Sequence, residues 1–257
     1  MKIVNMELDF IKEMFDSIAP RYDFLNRLLS LRQDVYWRRT MISALDLPEN
    51  AQVLDVACGT GDVLLEILSR PANHKLIVGA DFAPGMLKLA KIKLLQENAS
   101  PRVQLIAGNA LHLPFPPNFF DAVTIAFGIR NIMDRKSALS SFFKCLKPGG
   151  KVAVLELATP SNRFFLSLYL FYFAKILPII GSFFSKHLKA YDYLPASVIN
   201  FPTPDKFAAI MKQAGFKQIK WRRLTMGIAT VHIGQKPFIR TSHEPEQLSN
   251  CAIHPLK

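Results

Sequence analysis

Two glycines at the end of an apolar run carry the first chemical signal. Val53-Leu54-Asp55-Val56-Ala57 leads directly into Cys58-Gly59-Thr60-Gly61-Asp62, a strand followed by a Gly-x-Gly turn and a helix. Glycine lets the backbone turn sharply and approach a ligand closely at the carboxyl end of a strand. A dinucleotide fingerprint needs a third glycine three residues after Gly61, where Leu64 stands, and no Gly-Lys-Ser/Thr of a phosphate-gripping loop follows. S-adenosylmethionine, which has no phosphate, requires neither. Asp81 ends the next apolar run, twenty residues beyond Gly61. A carboxylate there accepts both hydroxyl protons of an adenosine ribose, and also suits the cap of a helix starting after Pro84. Gly108-Asn109-Ala110 ends a third run and supplies an amide for the adenine edge. Three ligating positions at successive strand ends form a crevice.

The elements that must position them follow from periodicity. Apolar runs at Gln52–Ala57, Leu76–Ala80, Val103–Ala107, Ala122–Ala126 and Lys151–Leu157 alternate with helical stretches, the rhythm of βαβ units and a buried parallel sheet. Gln218–Leu224 and Ala229–Ile233 follow a helix at Asp205–Ala214 that Gly215 ends, and lie close enough to pair only as a hairpin. The predicted fold is therefore α/β, a Rossmann-like and mostly parallel sheet with an antiparallel edge and helices on both faces. Residues 6–46 read as a helical cover, interrupted at Pro20. One domain is expected over residues 1–237, with an amphipathic insertion near 160–200 and a polar, disordered tail at 238–257.

Composition narrows the partners. The chain has 257 residues, half of them hydrophobic, which supports a substantial core and excludes wholesale disorder. Its net charge of +12 suits an anionic partner, a membrane face or nucleic acid. No appended RNA-binding module and no motif for a flipped base accompanies the charge, so no nucleic-acid partner is expected. Cys58, Cys145 and Cys251 stand far apart, and the histidines have no ligand spacing. Neither a disulfide framework nor a metal is expected, and a reducing cytoplasm is the predicted compartment. The N-terminus does not read as a signal peptide.

The run Asp55 to Asp62 resembles motif I of class I methyltransferases, and Leu113 to Asp121 and Leu146 to Gly150 are similar to their later strand approaches. The match narrows to the ubiquinone/menaquinone biosynthesis C-methyltransferase family. Phe15 to Asp23 with Asn26, Ser30 and Trp37 resembles its start. So do Phe127-Gly128-Ile129-Arg130-Asn131, Gly150–Pro160, Leu177 to Gly181, and Tyr191 to Leu194 with Ser197 and Val198, in order over residues 9–236. The resemblance implies a SAM-dependent class I fold and transfer of a methyl group to a ring carbon of a polyprenylated quinol, whether naphthoquinol or benzoquinol. It implies cofactor contacts at Asp55, Gly59, Thr60, Gly61, Asp81, Asn109, Ala110 and Ala126. At Ala126 the family usually has serine, Arg32 replaces an expected glycine, and Ile233 stands where arginine usually follows the closing-strand histidine His232.

Methylating a carbon ortho to a hydroxyl requires that the hydroxyl proton leave and that the resulting negative charge be stabilised. Arg130, beside Asn131, is the expected stabiliser. Tyr22 and Asp23 lie in the segment that closes over the site, Asp23 as a base directly or through water, or as a helix cap. His232 reads as a buried strand histidine. Between Phe164 and Phe184 stand six phenylalanines and two tyrosines, split by Lys175 and Pro178 into pieces too short to span a bilayer. This stretch reads as an amphipathic cover lying on the membrane surface, Arg163, Lys186 and Lys189 meeting anionic head groups, which places the chain peripherally on the inner face. Two other readings stay open. One is a methyltransferase of another lipophilic small molecule; the other is a non-catalytic, membrane-associated SAM-binding protein.

Overall fold

The structure, a computed structural model, describes residues 22–71, 74–99, 103–176, 188–238 and 254–255. In chain order the elements are α1 (Tyr22–Leu29), α2 (Gln33–Leu45), β1 (Gln52–Val56), α3 (Asp62–Leu68), β2 (Leu76–Asp81), α4 (Pro84–Gln96), β3 (Val103–Ala107) and β4 (Phe120–Ala126). A 3-10 turn (Ile129–Asn131) precedes α5 (Arg135–Cys145), β5 (Leu146–Leu157), α6 (Arg163–Phe171) and a π-helical turn (Tyr172–Ile176). Then come α7 (Leu188–Ile199), α8 (Pro204–Gln213), β6 (Lys217–Leu224), β7 (Ala229–Gln235) and the two-residue β8 (His254–Pro255).

The sheet order is β3-β2-β1-β4-β5-β7-β6-β8. The first five strands are parallel; β7 runs antiparallel to both β5 and β6, and β8 pairs parallel to β6. This is the architecture that the βαβ rhythm and the closing hairpin predict. Strands β1 and β2 are buried on both faces, so they read as continuous apolar runs rather than alternating ones. Along β1, Val53 packs on one face with Met41, Leu64 and Leu155, while Leu54 and Val56 pack on the other with Phe142, Phe207 and Phe216. Gly79 sits where a Cβ would lie 2.8 Å from Leu64 and 2.9 Å from Leu105, so close packing of α3 on β2 requires it.

The helical cover breaks where no proline or glycine marks it. Leu31 and Arg32 are both left-handed, with φ of 50° and 62°, between α1 and α2. Each such non-glycine residue costs about 1–2 kcal/mol. Glycine would adopt the Arg32 conformation without that cost, which accounts for the glycine expected there. The expected break at Pro20 lies outside the described residues. Strand β5 begins earlier than its apolar run, because Leu146 already pairs with Phe120 ahead of a register shift that accommodates Gly149-Gly150. Of the polar segment 238–257, only Phe238 and β8 are described.

Candidate active site

The strand order reverses between β1 and β4, and the chains leaving these two tips are both strained. Ala57 (φ 53°), Gly59 (φ 53°) and Gly61 (φ 87°) leave β1 with positive φ; Phe127 (φ 59°) does so after β4. Gly128 follows because a Cβ there would lie 2.7 Å from that of Ala57. Strain held at a topological switch point marks the crevice where open α/β sheets bind ligands.

On the β2 side, Asp81 is buried and accepts hydrogen bonds from the Gly59 N–H at 2.8 Å and the Ala83 N–H at 2.9 Å. The carboxylate thus ties the glycine loop to the residue that precedes α4. Asp55, on β1, is also buried; one oxygen accepts from the Thr124 hydroxyl at 2.6 Å, and Oδ2 has no partner among the described residues. Burial pushes its carboxyl up to about 8. A Cβ on Gly59 would meet open space, so the loop faces an opening. Ribose hydroxyls suit both carboxyl groups as hydrogen-bond partners, and neither group supplies the positive charge that a pyrophosphate would need. The donor set fits S-adenosylmethionine. Burial also pushes the neighbouring Cys58 thiol up, keeping it a neutral thiol.

Asn109 is exposed beyond β3, and its side-chain oxygen accepts from the Leu111 N–H at 2.9 Å, closing a local turn. Ala110 packs against the core beside it. Ala126, last in β4, is half-buried and pairs with Leu155.

Helix α1 lies across the opening. Tyr22 packs with Leu89 on Ala83 and Met86 at the start of α4, and feels the charges of both Arg130 and Asp81. It therefore bridges the cofactor side and the β4 side, and burial pushes its phenol up. Asp23 accepts the Thr60 hydroxyl hydrogen at 2.5 Å and is ion-paired with Lys93 of α4. Lys93 in turn reaches Asp62 at 2.8 Å, and Asp62 pairs with Arg27 at 3.1 Å and Arg38 at 2.9 Å. These cations hold the Asp62 carboxyl well below the usual range, against its burial. The cover is thus fastened to the glycine loop by charge. Lys93, Arg27 and Arg38 carry no local sequence signal, since three separate helices bring them together.

Beyond β4, Arg130 is buried, paired with Glu156 of β5 at 2.8 Å and donating to the Phe127 carbonyl. Glu156 also accepts the Arg130 N–H at 3.0 Å and the Leu157 N–H at 2.8 Å. A glutamate inside the apolar run Val152–Leu157 is a readable signal, because a buried charge needs a partner. The beginning of the insertion closes this side. Tyr193 of α7 donates to Asn131 at 3.0 Å, Tyr172 donates to the Leu29 carbonyl at 3.1 Å, and Tyr169 and Phe173 pack with Val198. His232 lies elsewhere: it is fully buried, its Nε2 3.1 Å from the Pro204 carbonyl, and burial pushes its pKa down to about 4.

Phe164, Leu168 and Phe171 on α6 point outward, 72%, 57% and 55% exposed, at helical spacings of four and three. The helix is thus apolar on both faces rather than amphipathic. Phe173 is buried and belongs to the inner face. The motifs at 177–187 lie outside the described residues, as do the side chains of Lys186 and Lys189. Among the described residues no helix is long and apolar enough to cross a membrane, and no acidic, histidine or cysteine cluster could hold a metal.

A family model described as the ubiE/COQ5 methyltransferase family matches residues 2–236. The chain is 48% identical over 226 residues to the ubiquinone/menaquinone biosynthesis C-methyltransferase UbiE of Geotalea daltonii, covering 88% of this chain and 96% of that one. It is 37% identical over 234 residues to the demethylmenaquinone methyltransferase of Lactiplantibacillus plantarum, covering 91% and 99%. Among solved structures it resembles the cyclase SpnF, with a TM-score of 0.67, 16% identity and coverage of 89% and 96%. Phosphoethanolamine N-methyltransferase 2 of Haemonchus contortus, in complex with S-adenosyl-L-methionine, gives a TM-score of 0.59 at 17% identity, covering 84% of this chain and 59% of that one. At such identities the two structures speak to the fold alone.

Proposed function

This chain belongs to the ubiE/COQ5 methyltransferase family, and on that premise we propose which of its residues carry the reaction and where the reaction takes place. The protein is an S-adenosylmethionine-dependent C-methyltransferase of menaquinone or ubiquinone biosynthesis. The observation that carries the residue assignment is the buried Arg130–Glu156 pair at the β4 and β5 tips, next to the crevice at the switch point.

When bound, the cofactor supplies a methyl group already activated by its sulfonium. Asp81 and the Gly59–Gly61 loop would hold its ribose, the Asp55 carboxyl would offer it a further hydrogen-bonding group, and the 108–110 turn would hold its adenine. On the acceptor, the carbon ortho to a hydroxyl becomes nucleophilic as that proton leaves and charge spreads from oxygen into the ring. Arg130 stabilises this charge. Its guanidinium is held by Glu156 and the Phe127 carbonyl, so it is preorganised and needs no rearrangement at the moment of reaction. Asp23, considered above as a base, is held by Lys93 and the Thr60 hydroxyl. The role that its partners favour is a clamp locking α1 over the bound cofactor. Tyr22 separates the two halves of the site and excludes water.

The direct test supplies labelled methyl donor with demethylmenaquinol and, separately, with the corresponding demethylated benzoquinol. Label is expected in the extracted lipid from one or both. None in either overturns the assignment.

The acceptor proposed is polyprenylated and is drawn from a bilayer that the protein touches peripherally. The outward stripe Phe164, Leu168 and Phe171, flanked by exposed Arg163 and Lys175, supports this. Because Phe173 is buried, the informative variant is the double Leu168→Ser and Phe171→Ser. Burying each outward side chain in the interface contributes about 1.5 kcal/mol. Co-sedimentation with anionic vesicles is expected to fall at least about tenfold; unchanged binding would remove the surface.

A further inference from the structure

Two buried donors, one on α6 and one in the turn after β4, have no acceptor among the described residues. The Tyr169 hydroxyl, on a residue 7% exposed, and the Nε of Arg130 each lack a hydrogen-bond partner there. A buried polar hydrogen left unmet is destabilising. Packing does not require this oxygen: Tyr169 sits among Phe173, Val198, Leu194 and Leu157, where phenylalanine would fill the same space. Its ring centroid lies 4.3 Å from that of Phe173. The neighbour Leu157 donates its amide hydrogen bond to Glu156, the carboxylate that holds Arg130. The charges of Arg130 and Glu156 both act on the Tyr169 phenol, as does neighbouring Tyr172, and burial pushes the group above its ordinary value. It therefore stays a proton-bearing donor at physiological pH.

We propose that Tyr169 is a catalytic residue whose hydroxyl, together with Arg130 Nε, donates a hydrogen bond to the quinol oxygen that becomes negatively charged as its proton leaves ahead of methyl transfer to the ring carbon. The inference rests on the quinol reading and deepens it by naming the second donor. No bond to Tyr169 is made or broken. The quinol hydroxyl proton leaves to solvent, and the charge left on oxygen is shared between a neutral donor from the insertion and a cationic one from the β4 tip. That electron pair then forms the bond from ring carbon to methyl as the bond from methyl to sulfur breaks. The hydrogen on the methylated carbon leaves as a proton to solvent, restoring the aromatic ring and, after reprotonation, the hydroxyl. This gives α6 a part in the chemistry beyond covering the site: without its inner face the acceptor oxygen would meet Arg130 alone.

The test is Tyr169→Phe, read in three ways. Removing one such donor from a developing oxyanion lowers kcat by about 100-fold, with little change in KM or in the dissociation constant of the cofactor. The thermal midpoint is expected to hold or rise, because an unsatisfied hydroxyl has been deleted. Independently of turnover, 4-methoxy-1-naphthol serves as a non-oxidisable phenol probe whose ionisation is followed by fluorescence. In the wild-type complex it should ionise about one pH unit lower than in the Tyr169→Phe complex, Arg130, Glu156, Tyr22 and Tyr172 being common to both. Unchanged kcat, an unchanged probe ionisation, or a clear drop in thermal midpoint would each overturn the proposal, the last because the oxygen would then have a structural partner. If the wild type methylates neither quinol, the quinol reading fails on its own, and the probe titration still decides the role of Tyr169.

Discussion

Replacing Arg130 by lysine is expected to lower kcat about 100-fold while cofactor affinity stays within a factor of two. Lysine keeps the charge opposite Glu156, so the buried pair survives; what it loses is the planar guanidinium whose Nη1 bonds both Glu156 and the Phe127 carbonyl and so fixes the direction of the remaining donors. The charge then sits in a mobile ammonium that must be oriented during the reaction, and preorganised stabilisation of this kind is worth about 2.7–4 kcal/mol. Arg130→Met separates chemistry from folding. It leaves Glu156, 0% exposed, as an uncompensated buried charge, at an expected cost of about 3–5 kcal/mol. The double variant Arg130→Met with Glu156→Gln should recover much of that stability in urea unfolding and none of the activity. Recovery of turnover in the double variant would show that Arg130 merely neutralises Glu156.

The second large effect concerns Asp81. Asp81→Ala removes the acceptor proposed for the ribose hydroxyls and also releases the Gly59 and Ala83 amides. Charge-assisted hydrogen bonds contribute about 1.5–3 kcal/mol each. Two of them lost on the ligand side predict a dissociation constant for S-adenosylmethionine or its demethylated product raised about 100- to 10,000-fold by calorimetry. Asp81→Asn keeps one acceptor for the loop but points an amide at the ribose, so its loss should stay near 100-fold with less effect on stability. Binding within threefold of wild type in both variants would move the ribose elsewhere and take the crevice assignment with it.

These two centres were unequally visible beforehand. The glycine turn, Asp55 and Asp81 are local in sequence, because a strand tip, a tight turn and the next strand tip are separated by one βαβ unit. Periodicity alone places them at one edge of a parallel sheet. The Arg130-Asn131 pair was reached through the position after the fourth strand. Its partner Glu156 comes from the next strand, and Tyr169 and Tyr193 from an insertion whose aromatic content reads equally well as core, membrane face or site lining. Only packing sorts these. Phe171 and Phe173 are two residues apart, yet one is outward and the other buried, because they fall on opposite sides of a helix end that continues into a π-helical turn.

The break between α1 and α2 shows the same division. A glycine would have announced it, but Arg32 takes the left-handed conformation itself, held by the Arg32 N–H bond to the Arg27 carbonyl at 2.8 Å and by the packing of both helices. The cation network that fastens the cover has no signature in the chain. Lys93, Arg27 and Arg38 are ordinary surface-helix residues by pattern and become site residues only when three helix ends converge on Asp23 and Asp62.

What the chain alone determined is what short-range physics dictates: apolar runs of strand length, the helices between them, the turn residues, and hence the sheet, its antiparallel edge and the crevice at its switch point. What required the folded molecule is every role that depends on a long-range electrostatic or packing partner. A carboxylate becomes base or clamp, and a phenol becomes core or catalyst, according to the charges and the solvent around it. Those are set by residues tens of positions away, whose distances no local pattern encodes.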